Sequence, residues 1–143
     1  PLWVAVEEMT FGTLSQFYKN MLEADREGLA QQYFGRKSVY IENYLQCAVV
    51  ARNIAAHGGR FYNRTRLSPA VKLPLMMRRN NVDNSSPFAY FYAIFELLPD
   101  ADKFSYIREM EKLFHKYPAA EPSRMGFPVN WRALLNVPGE SDT

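Results

Sequence analysis

Residues 88–98, FAYFYAIFELL, carry one charge in eleven positions and lie between the pair Ser86-Pro87 and a second proline, Pro99. Ser86 can cap a helix and Pro87 can open it, since the first helical position needs no N–H and suits the fixed φ of proline. Pro99 stops the helix. A helix that is apolar on most sides has no face to offer water, so it must run through the middle of the fold. Other helices must then cover it. At 143 residues and 48% apolar content the chain has material for one compact domain and too little for two.

The covering elements follow from spacing and punctuation. Residues 3–9, WVAVEEM, predict a helix, TFG at 10–12 a break, and LSQFYKNML a second short helix through Leu14, Phe17, Tyr18 and Leu22. Asp25 is placed to cap DREGLAQQYF, which Gly35 closes. From about Ser38 a longer helix carries Ile41, Leu45, Ala48 and Arg52 in one narrow stripe, so a buried helix ends in an arginine. Gly58 to Ser86, with Pro69, Pro74, Asn80, Asn81 and Asn84, predicts a long irregular excursion. Asp100 and Asp102 open a last helix that ends near Tyr117 with Lys112, His115 and Lys116, a polarity that suits the helix dipole. The tail, with MGFPVNW at 125–131, is expected to be an ordered strap with a loose polar end from Gly139. No segment predicts a sheet, so the class is all-α.

Charge is distributed unevenly. Between Glu42 and Asp83 there is no acidic residue, and the interval holds Arg52, Arg60, Arg64, Arg66, Lys72, Arg78 and Arg79. That is a local +7 in a chain of net +2, leaving −5 for the remainder. A block of one sign inside an otherwise acidic domain is the footprint of a polyanion site, with a solvated basic face as the plain alternative. The single cysteine, Cys47, cannot form an internal disulfide and sits in an apolar run, which suggests a cytoplasmic protein. No apolar run approaches the roughly twenty residues needed to span a bilayer. The start at Pro1 without a methionine suggests a fragment or a processed chain.

The basic interval begins with RNIAAHGGRFYNR, residues 52–64. Arg52 is a fixed cation whose planar donor fork matches a phosphate, and His57 can give and take a proton near neutral pH. Both suit phosphodiester chemistry. Five positions put them roughly 140° apart around a helix, whereas Asn53 and His57 share a face. Either the long arginine sweeps round the helix, or a second copy of the motif across a two-fold axis completes the site. Gly58 and Gly59 end the helix and leave His57 where the dipole favours a cation and the neighbouring arginines oppose one. Two histidines and one cysteine supply no convincing metal-ligand set, and no phosphate-binding glycine loop or serine-nucleophile motif is present. No cofactor is implied. In RNA the 2′-hydroxyl is an internal nucleophile, so a metal-free reaction needs only proton transfer and charge stabilisation.

The pattern RN-x-x-AH resembles the signature of the HEPN (higher eukaryotes and prokaryotes nucleotide-binding) superfamily. PLWVAVEEMTFGTLSQFY at the start, RNIAAHGGRFYNR in the middle and MGFPVNW near the end resemble, in order, three landmarks of the Abi-like family of bacterial abortive-infection proteins. The resemblance implies a HEPN-like helical bundle, homodimeric, with two Arg/His motifs facing one cleft. It also implies a metal-independent endoribonuclease that leaves a 2′,3′-cyclic phosphate and a 5′-hydroxyl. By position, Arg52 would hold the scissile phosphate, His57 would transfer protons, and Asn53 would orient His57 or the phosphate. Family members are about twice this length, so the resemblance implies that residues 1–143 would be a single C-terminal, HEPN-bearing domain. The glycine pair stands where a bulky polar residue is expected, a departure that loosens the cleft.

Each candidate has a plainer role. Arg52 could pair with Glu7 or Glu8, His57 could be a capping or core residue, and Asn53 could only stabilise the helix end. Arg60, Asn63 and Arg64, with Arg66 and Lys72 beyond, are candidate RNA contacts; one more helical turn would present the first three together. Trp3, Phe61 and Tyr62 could stack on bases, although aromatic residues at such spacing are more often core. The leading expectation is a toxic ribonuclease of phage defence with RNA as substrate and an antitoxin or a phage component as regulator. The rivals are a non-cleaving RNA-binding module and a protein-interaction domain that senses a phage component.

Overall fold

The computed structural model describes residues 10–136. They form an all-α architecture, with no strand among the described residues. The elements are α1 (Phe11–Lys19), α2 (Glu23–Phe34), α3 (Ser38–Ala56), α4 (Leu75–Arg79), α5 (Pro87–Leu97), α6 (Asp100–Lys116), a 3-10 turn (Pro122–Met125) and α7 (Trp131–Asn136). The helix expected at 3–9 and the polar end from Gly139 lie outside the described residues.

The apolar segment is central as its composition requires. Ser86 Oγ accepts a hydrogen bond from the Ala89 amide at 3.2 Å, Pro87 opens α5, and Phe88, Ala89, Tyr90, Tyr92 and Ala93 are buried. α5 packs on α3, whose buried face is Ile41, Tyr44, Cys47, Ala48 and Ala51. Tyr44 meets Tyr92 edge-on, with ring centroids 6.0 Å apart. α1 and α2 cover other parts of α3. Burial pushes the Cys47 thiol up to about 11, so it is a core group.

Helix boundaries show where local chemistry was misjudged. Thr10 is the break, but Phe11 and Gly12 already belong to α1: Thr10 Oγ1 accepts from the Thr13 amide at 3.2 Å. α1 stops at Lys19, short of Leu22. Asp25 does not cap α2, which begins two residues earlier with Leu22 at the cap and Asp25 in the first turn beside Glu23. Gly35 closes that helix as expected, at φ 61°. α3 has no cap from Lys37; Glu27 of α2 reaches across, and its Oε2 accepts from the Ser38 amide at 2.9 Å.

The basic excursion after α3 is irregular but fastened. Asn43 of α3 donates through Nδ2 to Ala70 O at 3.0 Å and accepts through Oδ1 from the Lys72 amide at 2.8 Å. The Tyr44 hydroxyl donates to Lys72 O at 3.0 Å, and the Tyr90 hydroxyl to Pro69 O at 2.6 Å. Its own Leu67, Val71 and Leu73 are buried. These bonds satisfy backbone groups that no helix or sheet provides for. Within the excursion, α4 is the one regular element among the described residues.

The tail is an ordered segment with a helix of its own. Gly126 lies at φ 79°, where a Cβ would fall 2.5 Å from Ser86 Cβ, so only glycine lets the chain pass the α5 cap. Phe127 then enters a cluster with Phe88, Phe114 and Trp131 at centroid distances of 4.8, 5.2 and 5.4 Å. The landmark MGFPVNW is therefore a packing anchor.

Candidate functional site

Three features of α3 build the site at its C-terminal end. His57 is the C-cap residue, and the chain closes behind it with two paired hydrogen bonds: Gly58 N to Ala55 O at 3.2 Å and Gly59 N to Ile54 O at 2.7 Å. This is a Schellman ending, and Gly58 takes the left-handed position it needs at φ 67°. At Gly59 a Cβ would fall 2.7 Å from Ile54 Cγ2 and 2.8 Å from Ile54 O. The glycine pair therefore fixes the helix end tightly.

Arg52, Asn53 and His57 are all exposed. The buried line of α3 passes through Tyr44, Cys47 and Ala51, which leaves Arg52 at its edge in solvent. Arg52 Nη1 donates to Asn53 Oδ1 at 3.4 Å, so the guanidinium leans round the helix toward the His57 side. No hydrogen bond joins Arg52 to His57. Any pairing of Arg52 with Glu7 or Glu8 lies outside the described residues.

His57 opens on a groove of about 470 Å³ lined by Val50, Asn53, Ile54, His57, Gly59 and Arg64. The four helical members recur at three- and four-residue spacing and so share one face of α3. Val50 and Ile54 were not singled out from the sequence, yet that spacing was legible once His57 was chosen. Arg64 arrives by a turn: its amide donates to Phe61 O at 3.2 Å, with Asn63 at φ 61°. Arg64 Nε donates to Arg60 O at 2.6 Å, which holds the guanidinium against its own loop.

The expected further turn of helix is absent, because α3 ends at Ala56. Of Arg60, Asn63, Arg64, Arg66 and Lys72, the groove takes Arg64 alone. Asn63 serves the turn, and Lys72 is held by its backbone to Asn43 and Tyr44 with its side chain exposed. Phe61 packs on Phe91 at 5.4 Å and is a core contact. The Tyr62 hydroxyl accepts from the Glu121 amide at 3.4 Å, and Trp3 lies outside the described residues.

The seven cations of the acid-free interval are all exposed, and none forms an ion pair among the described residues. The bounding acids are occupied elsewhere: Glu42 lies 3.5 Å from Arg26, and Asp83 Oδ1 accepts from the Ser85 amide at 2.9 Å. Among the described residues, positive charge without an ion-pair partner thus clusters around the end of α3 in sequence. Among the described residues no group of three His, Cys, Asp or Glu side chains gathers to hold a metal ion, and no helix is long and apolar enough to cross a membrane.

Residues 1–63 match the family described as Abi-like protein. Over that span the chain is similar to the family. The match includes α1, α2, α3, His57 and the glycine pair, and it ends within the turn that delivers Arg64. The matched span thus contains Arg52, Asn53 and His57, while Arg64, Arg66, Lys72 and the MGFPVNW anchor lie beyond it. Comparison with curated proteins and with solved structures gave no significant match.

Proposed function

We propose that this Abi-like chain is a metal-independent endoribonuclease of the HEPN type, a single domain that acts in the cytoplasm as the toxic effector of abortive infection. The observation that carries the reading is the exposed trio at the end of α3, with Arg52 hydrogen-bonded to Asn53 and His57 on the Asn53 face. The seven exposed cations, which form no ion pair among the described residues, and the Abi-like match support it.

His57 removes the proton from a 2′-hydroxyl, the 2′-oxygen attacks the adjacent phosphorus, and the bond from phosphorus to the 5′-oxygen breaks. The leaving 5′-oxygen takes a proton, giving a 2′,3′-cyclic phosphate and a 5′-hydroxyl. Arg52 stabilises the charge that grows on the phosphoryl oxygens, for which its planar fork is suited. A homodimer supplies the second imidazole, so that one His57 acts as base and the other as acid. An antitoxin or a phage component acts as the trigger.

Incubating the protein with RNA in excess EDTA tests this. Cleavage is expected, and Arg52→Ala and His57→Ala should each lower it by about 10²-fold or more. Cleavage that persists in both variants contradicts the reading. A non-cleaving RNA-binding module draws support from the exposed cations alone; it predicts salt-sensitive binding that weakens in Arg60→Glu and Arg64→Glu, with no cut products.

A further inference from the structure

We propose that the groove beside His57 is a nucleobase subsite for one unpaired guanine, with Arg64 as the residue that selects it; this rests on the ribonuclease reading and adds a substrate preference to it. The floor of the groove is Val50 and Ile54, both half-buried and apolar. A phosphate gains nothing from such a floor, whereas a flat base gains contact area on its ring face. Gly59 contributes no side chain to the wall, and a Cβ there would press on Ile54 Cγ2.

The rim offers donors. Arg64 commits Nε to Arg60 O, which sets the plane of the guanidinium and leaves both Nη groups without a partner among the described residues. Asn53 Oδ1 already accepts from Arg52, which leaves its Nδ2 hydrogens for a ligand. A donor rim fits an edge made of acceptors. Guanine presents O6 and N7 side by side, the pair that an arginine fork reads. Adenine places an amino group where O6 would be, which sets donor against donor. Both the face and the edge of the base are used, so the base must be splayed from any helix, and the RNA is single-stranded at this position. Because Asn53 and His57 share the groove, the bound guanine lies next to the phosphodiester on which His57 acts.

The test is equilibrium binding, which needs no cleavage. Short single-stranded 2′-O-methyl oligonucleotides with one guanine, adenine, uracil, cytosine or 7-deazaguanine in an otherwise constant sequence are titrated with the protein, and fluorescence anisotropy is followed. Guanine is expected to bind roughly tenfold more tightly than adenine, and 7-deazaguanine, which lacks the N7 acceptor, to lose most of that preference. Arg64→Lys keeps the charge but loses the fork, so it should bind all five with similar affinity. Equal affinity of the wild-type protein for every base, or a guanine preference unchanged in Arg64→Lys, overturns the proposal. A guanine preference in a protein that cuts no RNA would sink the ribonuclease reading and leave the subsite standing.

Discussion

The amide of Gly59 donates to the carbonyl of Ile54 at 2.7 Å, and this bond closes α3 two residues after His57. Ile54 also forms part of the groove floor, so the bond that ends the helix shapes the candidate site. Gly58 and Gly59 contribute differently. Around Gly58 there is open space, and only its positive φ resists a side chain; at Gly59 the obstacle is Ile54 itself. Gly58→Ala should therefore lower stability by about 1–2 kcal/mol. Gly59→Ala should cost more and displace the 57–64 segment. Urea denaturation of both variants checks the order, and a Gly59→Ala protein as stable as wild type contradicts it.

Glu27 caps α3 from the neighbouring helix, and its carboxyl lies below its ordinary value of 4.5 chiefly because the Ser38 amide donates to it, with Gln31 assisting. The folded value is below the unfolded one, so the carboxylate stabilises the fold in full above 4.5 and the contribution disappears as the pH falls through the lower folded value. Glu27→Gln keeps the shape and removes the charge. The wild-type protein should be the more stable of the two at neutral pH, with the gap shrinking on acidification. Denaturation midpoints measured across the acid range test this, and a gap independent of pH would contradict the capping role.

Much of the fold was legible because its strongest signals are local. The Ser86-Pro87 pair, Gly35 and Pro99 act on their immediate neighbours, so the starts and stops of α5 and α6 and the end of α2 could be read directly. The start of α3 could not be explained that way, since the group that caps it, Glu27, is eleven positions upstream and belongs to another helix. The same holds for the basic excursion. Its proline-rich composition predicts irregularity, but nothing in it discloses that Asn43, Tyr44 and Tyr90 fasten it to the core. At the site, Arg52, Asn53 and His57 were chosen from residue chemistry and motif. The separation of Arg64 from Arg60 and Asn63 was hidden, because it depends on a Schellman ending followed by a turn instead of another helical turn.

Phe127 and Val129 sit two residues apart in the tail and should behave oppositely. Phe127 is buried among Phe88, Phe114 and Trp131, whereas the Val129 side chain is fully exposed. Phe127→Ala should cost about 3–5 kcal/mol through lost contact and a residual cavity. Val129→Ala should stay within about 0.5 kcal/mol of wild type. Thermal unfolding of the pair tests whether MGFPVNW is a packing anchor; similar midpoints for the two variants would show that it is not.

The account rests on His57 and Arg52 acting on an RNA phosphodiester through the substrate's own 2′-hydroxyl. The most direct measurement is the chemistry of the cut ends, read by mass spectrometry after incubating a defined oligoribonucleotide with the protein in EDTA. The predicted result is a 2′,3′-cyclic phosphate on one fragment and a 5′-hydroxyl on the other, with neither formed by His57→Ala or when the attacking 2′-hydroxyl is replaced by hydrogen. Fragments ending in a 3′-hydroxyl and a 5′-phosphate, or the same cyclic ends formed by His57→Ala at the wild-type rate, would contradict it.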